Sequence, residues 1–246
     1  MTIRGWESKY REIRSVFGYS KFKDLESAQK LNKKIVKKYP ISKIKKIIAG
    51  KTVFIIGAGP SLSNSISSLK KYENITKIVA DGAVEALIEN DIRPDILVTD
   101  LDGDIPSIKK IGKTKIPIVV HAHGNNFEKL ELVSKFQNKI GTTQTKKFGR
   151  LENFGGFTDG DRCVFLAEGF NPEKIILFGM DFGKKIGRYS KKKVVDRKTK
   201  LKKLEYGKKL LEWLARKSDS ELYTTSKPIK GYKKISLIDL KYVINN

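Results

Sequence analysis

The sequence is poor in the residues that would place it quickly. It has one cysteine, Cys163, in 246 residues, so no internal disulfide can form, and the chain is expected to work in a reducing, cytoplasmic compartment. Two histidines, His121 and His123, stand without a cysteine cluster, which leaves no closed zinc site of the usual Cys/His spacing. The longest apolar runs, such as TVFIIGA, fall far short of the ~20 residues that span a bilayer, and no membrane partner is expected. The opening MTIRGWESKYREIR contains no apolar stretch of the signal-peptide type, so no secretory leader is expected. Arginine is also scarce, nine residues against 42 lysines. The lysines behind the net charge of +24 are spread along nearly the whole chain. There is no zinc-finger spacing, no RNP-type aromatic strand and no basic-region heptad, so nucleic acid is not the expected partner. Attraction of a polyphosphate substrate accounts for part of the charge equally well.

What is present is alternation. Residues 1–47 read as a helical extension: Trp6, Tyr10, Ile13, Val16 and Phe17 recur at helical spacing, then Leu25, Ala28, Leu31, Ile35 and Val36, until Pro40. Over 48–246, Val- and Ile-rich runs at 52–56, 75–80, 95–99, 116–120, 139–143, 174–178 and 221–225 alternate with helix-like stretches at 61–71, 82–90, 125–137, 159–168 and 200–217. That order predicts an α/β domain with a mostly parallel sheet covered by helices on both faces. The Gly- and Lys-rich segment 183–203 reads as an exposed loop leading into the last helix.

In such a sheet ligands bind beyond the carboxyl ends of the strands. The residues after the apolar runs are Gly57-Ala58-Gly59-Pro60-Ser61, Asp81-Gly82, Asp100-Leu101-Asp102, His121-Ala122-His123 and Gly179-Met180-Asp181. Asp100 and Asp102, two apart in extended chain, would face one side and suit a hard divalent cation such as Mg²⁺; Asp81 is a third ligand or an outer partner. Asp104 reads as a helix cap, and Asp95 lies at the wrong end of its strand. Gly57-x-Gly59 opening a helix is a phosphate-binding kind of turn or simply a tight one. The third glycine of the dinucleotide fingerprint and the Walker Gly-Lys-Ser/Thr are both missing. His121 and His123 are read as hydrogen-bonding groups for substrate or phosphate, with a structural role and metal ligation as alternatives. Thr158 or Asp159 caps the helix CVFLAEGF, which is compatible with ligand binding.

ADGA at 80–83, RPDILVTDLDGD at 93–104, GFTDGDRCVFLAEG at 156–169 and ILFGMDFG at 176–183 occur in this order. Together they resemble the archaeal 6-hydroxymethyl-7,8-dihydropterin diphosphokinase family (MptE-like) and, more distantly, the catalytic domain of thiamine diphosphokinases. The second glycine of the ADGG-type motif is Ala83 here, and Gly103-Asp104 replaces the final serine of the acidic motif. The resemblance implies a Rossmann-like fold and transfer of a diphosphoryl group from ATP to a reduced pterin, with release of AMP. It implies that Asp81, Asp100 and Asp102 hold Mg²⁺, that Gly57, Gly59, Pro60, Ser61 and Gly82 face nucleotide or phosphate, and that Thr158 and Asp159 lie near substrate or metal. Asp181, His121 and His123 follow as second candidates, and Asn125, Asn126, Thr142, Thr143 and Gln144 offer polar groups for a pterin edge. Thiamine as acceptor, a metal-dependent sugar-nucleotide transferase of the kind attached to flagellin-glycosylation factors, and a non-enzymatic nucleotide binder are the alternatives. A homo-oligomer is left open.

Overall fold

Three helices precede the sheet: α1 (Trp6–Phe17), α2 (Lys21–Lys34) and α3 (Ile41–Ile48). Next come β1 (Thr52–Ile56), α4 (Leu62–Lys71), β2 (Thr76–Ala80), α5 (Asp81–Glu89), β3 (Ile96–Thr99), α6 (Ile105–Gly112) and β4 (Ile118–Ala122). A 3-10 helix (Glu128–Lys135) leads to β5 (Lys139–Thr143), followed by α7 (Asp159–Glu168) and β6 (Lys174–Phe178). The chain closes with α8 (Arg197–Ala215), β7 (Glu221–Thr224), the short β8 (Lys233–Lys234) and α9 (Leu240–Ile244). This is a computed structural model describing residues 2–190 and 196–245.

Among the described residues the strands form one parallel sheet in the order β5-β4-β3-β2-β1-β6-β7-β8. The chain steps outward from β1 to β5, then returns to the other flank of β1 with β6. The order therefore reverses between β1 and β6, and the crevice beyond their carboxyl ends is the place where an open α/β sheet receives ligands. Period-two alternation divides the core. Val53 and Ile55 face a layer built on α1, α3, α7 and α8, whereas Phe54 and Ile56 face α2, α4, α5 and α6. All four are fully buried, and burial on both faces is why the runs read as continuously apolar rather than as alternating.

Three local expectations change. β4 runs to Ala122, so His121 belongs to the strand and does not follow it. Helix within 125–137 is confined to the 3-10 stretch. α8 starts at Arg197, with Asp196 accepting a hydrogen bond from Thr199 N at 2.9 Å. Residues 197–203 of the expected loop are thus helix, because lysine is a good helix former once a cap starts the turn. Residues 191–195 of that stretch lie outside the described residues.

The first helix is tied to the centre of the molecule. Trp6 is 2% exposed, its ring meets Phe165 of α7 edge-on at 5.5 Å, and its Nε1 donates to Gln144 O at 3.3 Å. Trp6→Ala is expected to lower the free energy of unfolding by ~3–5 kcal/mol, in a single urea transition. A melt with an unchanged main midpoint and a separate early phase would show that α1 is an independent appendage.

Candidate active site

The strand ends and one helix start bring four carboxylates together. Asp81 opens α5 directly after β2, Asp100 follows β3, Asp102 lies two residues on, and Asp159 opens α7. One oxygen of each lies within 4.8 Å of the others. Extended chain does not produce this convergence. Leu101, fully buried, has φ +67°, a left-handed conformation that is costly for a side chain with a Cβ, and its N donates to Thr99 Oγ1 at 2.7 Å. The chain turns sharply between Asp100 and Asp102, and that turn directs both carboxylates toward Asp81.

Three of the acids have donors of their own. Asp81 Oδ2 accepts from Thr99 Oγ1 at 3.0 Å and from Gly103 N at 3.1 Å. A Cβ on Gly103 would lie 3.0 Å from Asp81 Cγ, so the glycine permits this approach. Arg162 Nη1 donates to Asp159 Oδ1 at 3.2 Å. Asn125 N donates to His123 Nδ1 at 3.2 Å, and the Nε2–H of the same ring is donated to Asp100 Oδ2 at 3.1 Å. Asn126 joins the ends of β3 and β4, its Nδ2 donating to Asp100 O at 2.8 Å and to His121 O at 2.7 Å.

The electrostatics match that crowding. Burial, then the charges of Asp100 and Asp102, push Asp81 up to about 7. Burial and the charges of Asp100 and Asp81 push Asp159 well above the usual carboxylate range. Burial would raise Asp100 too, but the His123 hydrogen bond and the nearby positive charge outweigh it and hold this carboxyl below the ordinary range. Asp100 Oδ1 is buried without a hydrogen-bond partner. Four hard oxygen donors, one of them orphaned, fit a divalent cation, and the cluster is able to hold a metal ion.

Beside the acids opens a cavity of about 310 Å³ at the β1/β6 reversal. Gly57 and Gly179, at the ends of these strands, approach so closely that a Cβ on Gly57 would lie 2.8 Å from Gly179 O. Gly57, Gly59, Pro60, Gly82, Thr158 and Asp159 line the cavity together with Asp81, Asp100, Asp102 and Asp181, and Lys185, Lys200 and Lys203 face them from the later segment. Ser61 is not in this lining. Its N and Oγ both donate to Asp181 Oδ2 at 3.0 Å, so an internal carboxylate lies at the start of α4, where the sequence predicts a phosphate contact. Thr158 heads α7 in a capping box with Asp161.

His121 and Thr143 also fall away from the acids. His121 is 2% exposed and shares a small cavity of about 10 Å³ with Thr143 and Arg162. Thr142 Oγ1 donates to Val120 O, so His121 Nδ1 must donate to Thr142 Oγ1, at 3.1 Å. Burial first, then nearby positive charge, pushes His121 well below the usual imidazole range, and it stays neutral. Asn125, Gln144 and His123 line a second cavity adjoining Asp100. Sequence reasoning missed Arg162, although its place three residues after Asp159 on a helix was a readable sign. It also missed Asp24, whose spacing to Ala28 and Leu31 puts a carboxylate on an apolar face. Lys185 and Lys203 were indistinguishable among the other lysines.

A parallel α/β sheet with a cluster of acids able to hold a cation beside the cavity at its switch point defines a Rossmann-like domain. Residues 26–187 match the family described as 6-hydroxymethylpterin diphosphokinase MptE-like, and the chain belongs to that family. It is 44% identical over 238 residues to the 6-hydroxymethyl-7,8-dihydropterin pyrophosphokinase of Methanocaldococcus jannaschii, covering 90% of this chain and 99% of the relative. Proteins of the same name from Methanothermobacter thermautotrophicus and Pyrococcus furiosus are 41% and 42% identical, over 89% and 85% of this chain and 97% and 92% of their own lengths. The fold is shared with a Maf glycosyltransferase from Magnetospirillum magneticum AMB-1, with a TM-score of 0.59 and 16% identity, over 87% of this chain and 38% of that one.

Because Asp81 is raised to about 7, the folded, metal-free protein keeps a proton that the unfolded chain loses near the ordinary carboxylate value. Its stability should therefore fall as pH rises from the ordinary carboxylate range toward 7 and then level off. A divalent cation bound at the cluster would replace that proton, so its addition is expected to raise the melting temperature by several degrees more at about pH 8 than at about pH 5.5. Thermal melts with and without Mg²⁺ at the two pH values check this; an equal shift at both would contradict it.

Proposed function

We propose that the chain is an ATP-dependent 6-hydroxymethyl-7,8-dihydropterin diphosphokinase. The hydroxymethyl oxygen attacks the β-phosphorus of ATP, the bond to the α-phosphate's bridging oxygen breaks, and AMP leaves with that electron pair. The products are the pterin diphosphate ester, AMP and the hydroxyl proton, which is released to solvent. The name shared by relatives that align along nearly the whole chain supports the acceptor. The observation that carries the chemistry is the four-carboxylate cluster beside a glycine-lined cavity at the sheet's switch point.

In this reading Asp81, Asp100, Asp102 and Asp159 hold Mg²⁺, which when bound supplies positive charge to the phosphate oxygens. Gly57, Gly59, Pro60 and Gly82 let backbone approach the phosphates without side-chain obstruction. Lys185, Lys200 and Lys203 draw in the triphosphate and offset its charge as the diphosphoryl group moves. Arg162 balances Asp159, and His123 keeps Asp100 oriented with one oxygen spare. The activated pterin is of the kind consumed in building methanopterin- or folate-type cofactors, and the cytoplasm, where ATP and reduced pterins meet, is the place proposed for the reaction.

Product analysis with ATP, Mg²⁺ and 6-hydroxymethyl-7,8-dihydropterin should show AMP and no ADP. Asp100→Asn and Asp102→Asn are each expected to lower kcat/KM by ~100-fold or more, each variant still melting in one cooperative transition. Near-normal turnover in both variants would remove the cluster from the mechanism.

A further inference from the structure

The acidic cluster has a second cavity against it, and nothing so far assigns that cavity an occupant. It encloses about 50 Å³ between the start of α2 and the ends of β4 and β5. Of the four clustered acids only Asp100 lines both cavities. We propose that this second cavity is the acceptor site, that it takes the hydroxymethyl-bearing end of a neutral, flat heterocycle, and that the nucleotide occupies the larger cavity on the other side of Asp100. The inference rests on the diphosphokinase reading and adds which substrate lies where, and what selects the acceptor.

Transfer demands two sides. The attacking and leaving oxygens stand roughly in line across the phosphorus, so acceptor and AMP approach the metal centre from opposite directions. Two cavities meeting at one carboxylate provide those directions. The larger has the glycine turn and three lysines suited to a triphosphate. The smaller has walls of another kind. Tyr19 and Phe157, ring centroids 6.3 Å apart and tilted by 49°, give aromatic surface on which one of them can meet the face of a flat ring. Asn125 and Gln144 bring amides, which can both donate to and accept from a heterocycle's edge.

The polar wall is preorganised. Asp24, 2% exposed, accepts from Gln144 Nε2 at 2.8 Å, from Tyr10 OH at 2.7 Å and from Gly124 N at 2.9 Å, which fixes Gln144 and joins α2 to the end of β4. Arg162, 5% exposed, lines the cavity with its Nε buried and unpartnered, a donor that an acceptor atom of the ligand can satisfy. Lys203 belongs to both linings, its Nζ 5.7 Å from the Tyr19 ring centroid and 5.9 Å from that of Phe157, so a cation stands at the junction where the diphosphoryl group crosses. The lining of the smaller cavity sets Lys23, Arg162 and Lys203 against the carboxylates of Asp24 and Asp100, a near-balance that a neutral pterin leaves undisturbed and a cationic thiazolium does not. The enclosed volume admits the reacting end of the bicycle, and the remainder lies over the exposed rim at Lys23 and Asn125. Tyr19, Lys23 and Asp24 precede residue 26, where the family match begins, so their part in the site follows from this structure alone.

The test separates the two substrates. Tyr19→Ala and Lys23→Glu are expected to raise KM for the dihydropterin ~10-fold or more and to leave KM for ATP within ~2-fold of wild type. Titration with the fluorescent oxidised analogue 6-hydroxymethylpterin, without ATP, should show affinity lost by a similar factor in Tyr19→Ala. Wild type should use thiamine with kcat/KM at least ~100-fold lower than the pterin. Unchanged pterin KM in both variants, or a rise in ATP KM instead, would overturn the assignment of the cavities. If wild type makes no AMP with the pterin, the diphosphokinase reading itself fails. The fluorescence titration, which needs no turnover, would then still decide the cavity: equal affinity in wild type and Tyr19→Ala overturns it.

Discussion

Mutual repulsion of four carboxylates is the constraint around which this molecule is arranged. Asp81, Asp100, Asp102 and Asp159 approach within 4.8 Å of one another in largely dehydrated surroundings, a state no flexible chain would adopt. It persists because three of the acids have donors of their own. Thr99 and Gly103 hold Asp81, His123 holds Asp100, and Arg162 holds Asp159. Remaining repulsion is removed by protons on Asp81 and Asp159, or by a cation in their place.

Much of the nearby architecture supports those supports. The left-handed Leu101 is fixed by the Thr99 hydroxyl and by its own burial, so the fold maintains a strained turn in order to aim two acids inward. Asn126 ties the ends of β3 and β4 together by two hydrogen bonds from one amide. Asp181 closes the start of α4 and keeps the glycine turn against β6, leaving the backbone of residues 57–60 on the cavity wall. The site is rigid where charge is densest, as a reaction governed by electrostatic positioning requires.

The acids also divide the space around them. On one side lie glycines and lysines, on the other aromatic rings and amides, and the boundary runs through Asp100, Phe157 and Lys203. The helices before the sheet matter here beyond packing. α1 buries Trp6 and Tyr10 in the same core as α7, and α2 carries Asp24 to the end of β4, so the N-terminal segment forms one wall of the second cavity.

Strand and helix order were readable because burial on both faces makes parallel strands continuously apolar. The runs at 52–56, 139–143 and 174–178 keep their bounds in the fold. A parallel sheet places all its carboxyl ends along one edge, so Asp81, Asp100 and Asp102, which follow two of the apolar runs, were expected to gather there, whereas Asp159, at a helix start, was placed near them only by the family resemblance. Local hydrogen-bond competition was not readable. Nothing linear told that Asp181 would occupy the start of α4, that His121 would lie inside a strand with its proton given to Thr142, or that Asp100 and Asp102 would converge through a left-handed turn. Nor could spacing pick Lys203 from the other lysines, or set Tyr19 beside Phe157 across more than a hundred residues. Sequence by itself determined the elements, their parallel order and the edge where the chemistry gathers, since these follow from periodicity and chain direction. Which side chains face one another across that edge, and on which side of the acids each substrate would lie, was decided by tertiary structure, because such contacts depend on the packing of helices whose surfaces alone do not specify their neighbours.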